Sequence, residues 1–155
     1  MYNIIFYWFC MILNMFISHD NLFEILQYAS TIQEAITIAK KRKMFVSESF
    51  LIGSAIDHKA VIIEKTPTDL DVYDPNQKSI QCTNHSQSGI LGKQNLNQEQ
   101  MNQSASVYRY QRLQELLNET SQNTPQRTAD ILRDYKGLKN ADIGLTNEKA
   151  LNQFI

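Results

Sequence analysis

The amino-acid sequence predicts an α+β fold in which a succession of antiparallel strands is flanked by helices on both sides in the chain. Three observations predict it. Two apolar runs, Phe50 to Ile56 and Ala60 to Glu64, are separated by Asp57-His58-Lys59 and read as a hairpin of buried strands. Thr31, followed three residues later by Glu34, is a capping box that opens a helix just upstream of the hairpin. Downstream, Thr124-Pro125 supplies a cap and a first-turn proline for another helix.

Taken in order, the chain opens on an apolar segment, 1–17, interrupted only by Asn3 and Asn14. It lacks a basic leading region and a small-residue cleavage site, so it is a poor signal peptide. It is also shorter than the roughly 20 apolar residues that span a bilayer. Its aromatic and β-branched content suits a core segment or a membrane-associated anchor, and a misassigned start is the remaining alternative. Ser18 to Asn21 is a polar break, and residues 18–155 form the rest of the organisation. Leu22, Ile25 and Leu26 carry helical spacing up to Tyr28, and the helix capped by Thr31 runs to about Lys43. Its final Lys40-Lys41-Arg42-Lys43 cluster suits the negative end of the helix dipole and reads as a solvated turn.

After the hairpin, Pro67 and Pro75-Asn76 bracket a short strand at Asp71-Val72-Tyr73, and Ile80 to Thr83 gives a fourth. Four consecutive strands between helices favour an antiparallel sheet with helical cover. Asp57 and His58 are adjacent turn residues, where Asp makes local hydrogen bonds, rather than a catalytic dyad. Glu64 closes its strand and is expected on a sheet edge or in a cross-strand pair. Residues 86–103 are crowded with Asn and Gln and read as a mobile polar loop. Ser104 or Ser106 then caps a helix burying Tyr110, Leu113, Leu116 and Leu117, with Arg109 in its first turn. The helix opened by Thr124 is expected to end at Gly137, and Thr146 begins a final segment.

Composition excludes several functions. In 155 residues the net charge is −1 with both signs interspersed, so there is no basic stripe for nucleic acid. The two cysteines, Cys10 and Cys82, form neither a disulfide framework nor a metal-ligand pair, and the three histidines are widely spread. No cofactor or metal is expected. Cys10 lies in an apolar run with no group to lower its thiol pKa, and both cysteines read as buried thiols.

The feature with chemical content is Cys82-Thr83-Asn84-His85, placed between the strands and the polar loop. An Asn at such a point can aim its side-chain NH2 into a cavity, as a neutral preorganised donor to the oxyanion of acyl transfer. The bland alternative is turn chemistry through local side-chain hydrogen bonds. Cys82 lies two residues before Asn84, and on a strand it would share Asn84's face.

Five segments in order over Glu24 to Asp134 supply the context: Thr31 to Ala35, the hairpin from Gly53 through Glu64-Lys65-Thr66-Pro67, Cys82 to His85, Ser104 to Leu113, and Thr128 to Asp134. In this order they resemble the isopenicillin-N N-acyltransferase group of cysteine Ntn hydrolases, related to the choloylglycine hydrolases. The resemblance implies antiparallel sheets between helical layers. It also implies a small-molecule amide or acyl substrate, attacked by an N-terminal cysteine exposed by autoproteolysis. Asn84 would then be the oxyanion donor, and Arg109 would line the site and orient the substrate. The family's nucleophile, and the Arg and Asp that follow it, lie upstream of everything matched, so the chain is expected to be a fragment of a longer, partial domain, inactive alone. The competing expectation is a non-catalytic binding scaffold, tethered to a membrane through residues 1–17.

Overall fold

The computed structural model describes residues 19–119 and 122–152; the apolar segment 1–17, with Cys10, lies outside them. The fold is α+β, with five α-helices and one three-stranded antiparallel sheet among the described residues. The chain divides into two compact units, one made of the residues up to Cys82 together with Ser86–Gln94, the other of Thr83–His85 together with the residues from Asn95 onward.

In the first unit, α1 (His19–Tyr28) and α2 (Ile32–Lys41) precede a sheet of β1 (Glu48–Ser54), β2 (Lys59–Lys65) and β3 (Leu70–Tyr73), in the order β1-β2-β3. The register sets Phe50 opposite Ile63 and Ile52 opposite Val61, and these four share one sheet face with Ile25, Ala35, Ile38, Ala39 and Met44 in a single core. The start of α2 is satisfied group by group. Thr31 Oγ1 accepts from the Glu34 N–H, Glu34 Oε2 accepts from the N–H groups of Ser30 and Thr31, and Asp57 accepts from the Ile32 N–H at 2.7 Å. These bonds answer the orphan donors of a helix N-terminus. At the other end, the buried Lys65 ammonium donates to the carbonyl of Ala39. The hairpin therefore holds α2 at both ends, by Asp57 in its turn and by Lys65 at the end of β2. The Ile32 N–H, then the Ser54 hydroxyl, hold the Asp57 carboxyl below its ordinary range, while burial pushes the Lys65 ammonium down.

Of the two placements expected for Glu64, the sheet edge is overturned, since the residue lies in the central strand and is only 1% exposed. It faces away from the core just described, and its two oxygens accept from the backbone N–H groups of Gln87, at 2.6 Å, and Ser88, at 3.0 Å. Its cross-strand partner is Asp71, which accepts from the Ile90 N–H at 2.8 Å and the Val72 N–H at 2.9 Å. Like charges directly opposite one another destabilise a sheet. Here four N–H dipoles offset the repulsion, and the segment 87–90 is drawn onto the sheet in consequence.

The second unit contains α3 (Asn95–Gln103), α4 (Ser106–Asn118) and α5 (Pro125–Leu132). Leu113, Leu116 and Ile131 form its apolar centre, with Leu117 and Leu151 packed against it. Beside them Arg112, 1% exposed, donates from Nε and Nη2 to both oxygens of Asp134, from Nη1 to Glu115 and from Nη2 to Asn140. This bidentate pair raises the guanidinium's pKa further above its usual value.

Several expectations are corrected. Residues 86–103 are not a continuous loop: a 3-10 turn occupies Leu91–Lys93 and α3 follows, a mostly polar helix whose two apolar residues, Leu96 and Met101, leave it with no buried residue. Ile80 to Thr83 is not a strand. Neither Ser104 nor Ser106 is the N-cap of α4, which is Ala105 without a side-chain cap. Tyr110 and Leu117 are half-buried in that helix, and Ser106 and Arg112 are buried instead. Next, α5 stops at Leu132 rather than at Gly137. Gly137 is needed for a different reason, because a Cβ there would meet the Tyr108 hydroxyl at 2.5 Å and Ile143 Cγ2 at 2.8 Å.

The double acceptance by Glu64 predicts the effect of Glu64→Gln. Glutamine offers one acceptor oxygen, and its NH2 would face the second N–H. The expected loss is about 1–3 kcal/mol, the cost of an unsatisfied buried donor, read as a lower urea midpoint; an unchanged midpoint would show that these bonds do not hold the segment.

Candidate functional site

Thr83, Asn84, His85 and Arg109 lie in the second unit, where the turn Thr83–His85 meets the first two turns of α4. Thr83 Oγ1 donates to the Ser106 carbonyl at 3.1 Å. His85 Nδ1 is 2.7 Å from Ser106 Oγ and 3.0 Å from Thr83 Oγ1, and the two hydroxyl oxygens are 3.0 Å apart. Ser106 and Thr83 are buried and His85 half-buried. The ring of Tyr110 meets the imidazole edge-on at 5.7 Å between centroids.

Asn84 and Arg109 come together as a pair. Arg109 Nη2 donates to Asn84 Oδ1 at 2.8 Å, and Nη1 donates to the Glu148 carbonyl at 2.8 Å. A guanidinium has only donors, so the atom of the Asn84 amide that faces it is the oxygen. The orientation of the amide is thereby determined, with its NH2 turned away from Arg109. Ser106 and Arg109 are three residues apart in α4, on one helix face, so the adjacent residues Asn84 and His85 are fastened to the same row of side chains.

Other residues considered in the sequence serve elsewhere. Asp57 caps α2, and His58 sits in the hairpin turn with a positive φ of 51°. Cys82 is a buried thiol. Among the described residues no group of three or more His, Cys, Asp or Glu is placed to hold a metal ion, and no helix is long and apolar enough to cross a membrane. Sequence reading passed over Thr83 and Ser106 as partners of His85. A hydroxyl two residues before the histidine was visible, but Ser106 lies 21 residues away and had no local signal.

The electrostatics of His85 are one-sided. Burial, and then the positive charge of Arg109, push the imidazole below its ordinary pKa. Its contact with Ser106, the first residue of α4, adds the positive end of a helix dipole. Between the folded value and the unfolded value of about 6.5, the unfolded chain holds more protons. Stability tied to the neutral ring is therefore fully present above that unfolded value and is lost as pH falls toward the folded one. The wild type should lose more stability than His85→Gln between about pH 7.5 and about pH 5, as read from urea midpoints; equal losses would show that His85 titrates alike in both states.

A family model for acyl-coenzyme A:6-aminopenicillanic acid acyl-transferase matches residues 24–147, a span that takes in the sheet, the Thr-Asn-His turn and α4. No match is found among curated proteins or among solved structures. With most of its length matched and with these elements in one order, the chain belongs to the acyl-coenzyme A:6-aminopenicillanic acid acyl-transferase family.

Proposed function

We propose that this chain supplies the oxyanion-binding part of an enzyme that cleaves linear amides, or exchanges their acyl groups, through a cysteine acyl-enzyme. Attack of a thiolate on the amide carbonyl forms a tetrahedral oxyanion, and its collapse expels the amine and leaves a thioester. Water or a second amine then takes the acyl group. In this reading the nucleophile, an N-terminal cysteine freed by autoproteolysis, belongs to a longer N-terminal-nucleophile hydrolase of which the chain is a fragment. Asn84 is the oxyanion donor. Arg109 orients both the substrate and the donor.

The observation that carries the reading is the hydrogen bond from Arg109 Nη2 to Asn84 Oδ1 at 2.8 Å. An oxyanion hole requires a donor whose direction is set before charge develops, so that no reorganisation is needed during reaction. An asparagine free to flip would present its oxygen as readily as its NH2, and the repulsion would cancel the benefit. Arg109 removes that alternative. Membership of the acyl-transferase family supports acyl chemistry on small molecules.

The test is release of free amine from N-acyl amino acids by the product of the full reading frame, wild type against Asn84→Ala. Loss of one oxyanion donor is expected to lower kcat about a hundred- to a thousand-fold with an unchanged circular dichroism spectrum. A variant that retains the wild-type kcat removes Asn84 from this role. If the full reading frame gives no turnover at all, the catalytic reading is withdrawn in favour of a scaffold that binds without reacting.

A further inference from the structure

The cluster of Thr83, His85 and Ser106 carries more than a structural bond, because its protons can be counted. The Ser106 carbonyl can only accept, so the Thr83 hydroxyl proton is directed to it. Three contacts remain around the triangle of Thr83 Oγ1, Ser106 Oγ and His85 Nδ1, at 3.0, 2.7 and 3.0 Å. If the imidazole proton were on Nε2, only the serine proton would be left for all three. Nδ1 and Thr83 Oγ1 would then face each other at 3.0 Å with lone pairs on both sides. With the proton on Nδ1 the conflict disappears. His85 donates to Ser106 Oγ, Ser106 donates to Thr83 Oγ1, and Thr83 donates to the Ser106 carbonyl, a single-direction chain in which each bond polarises the next.

We propose that His85 is held in the Nδ1–H tautomer, so that its Nε2 lone pair forms an acceptor site for the N–H of a primary amine or secondary amide. Nε2 has no hydrogen-bond partner among the described residues, and His85 is only half-buried. The neighbouring Asn84 is fixed in the opposite sense, as a donor, through Arg109 on the same face of α4. A donor beside an acceptor on consecutive residues matches the two polar ends of a linear amide, whose carbonyl accepts and whose N–H donates. The identity of the ligand rests on the function proposed above, whereas the tautomer does not. The depressed basicity of the ring agrees with this role, since a neutral imidazole can accept and an imidazolium cannot.

The tautomer is tested on the chain itself, uniformly labelled with 15N at its three histidines, His85 being assigned by comparison with His85→Gln. The expected spectrum at neutral pH shows a pyrrole-type Nδ1 and a pyridine-type Nε2 for His85. An Nε2–H form in the wild type, the form that predominates in an unstructured histidine, overturns the proposal, and this reading needs no variant to fold. Ser106→Ala should move the signal toward a mixture of tautomers. Titration with N-acetylglycinamide should then shift Nε2 saturably toward the pyrrole-type position and leave Nδ1 nearly still; an unmoved Nε2 at saturating probe overturns the acceptor site. Because no turnover is measured, failure of the catalytic reading at Asn84 and failure of this one are separate results.

Discussion

Within the second unit the arrangement of α4 depends on the burial of Arg112. A guanidinium removed from water is tolerable only when its donors are matched, and Asp134, Glu115 and Asn140 between them engage Nε and both terminal nitrogens. That demand links α4 to the segment that follows α5, and it does so with the directional geometry of a bidentate pair. Ser106, Arg109 and Arg112 recur at intervals of three along α4, so the helix presents a row of polar side chains beside the apolar contacts of Leu113 and Leu116. Fixing the last member of the row fixes the helix's rotation, and with it the positions from which Arg109 reaches Asn84 and Ser106 reaches His85.

Buried polar rows of this kind explain which parts of the molecule were legible in the sequence. The capping box at Thr31 and Glu34, the Thr124-Pro125 start and the 50–64 hairpin depend on residues close together in the chain, and all three form. The failures share another cause. Helix α3 carries no apolar stripe, so periodicity had nothing to detect. Residues 80–83 have strand-like composition, yet two of their polar groups are engaged elsewhere. The Gln81 carbonyl accepts from the Gln87 side chain, and the Thr83 hydroxyl donates to Ser106. Glu64 was expected on a sheet edge or in a cross-strand pair, and it is the central position and the burial that had no local signal. Its N–H partners, Gln87 and Ser88, come from a segment 23 and 24 residues away.

The candidate site divides along the same line. Asn84 and Arg109 entered through the order of segments over most of the chain, since a Thr-Asn-His triplet by itself has as good an explanation in turn chemistry. Their pairing at 2.8 Å had no sequence signal. Thr83 and His85 were visible as part of the triplet, and what they do depends on Ser106, whose position at the start of α4 looked like an ordinary cap. Ser106 instead turns its hydroxyl to the imidazole and its carbonyl to the threonine. The N-cap position falls to Ala105, which has no side-chain acceptor to offer, and Ser104 Oγ accepts from the Ser106 N–H at 3.3 Å.

A common logic settles both members of the Asn84-His85 pair. Each side chain has two faces of opposite hydrogen-bonding character, and either face could be offered to a ligand. A partner restricted to one character removes the choice: Arg109 can only donate, so Asn84 must turn its oxygen inward, and the Ser106 carbonyl can only accept, so the hydroxyl chain ends there and draws the imidazole proton to Nδ1. In the proposed reading the amide is left as a donor and the imidazole as an acceptor, each without a charge of its own. Neutral groups so fixed recognise an uncharged amide without the desolvation cost of burying an ion. Arg109, the nearby cation, acts on both, through a hydrogen bond on Asn84 and through its field on His85.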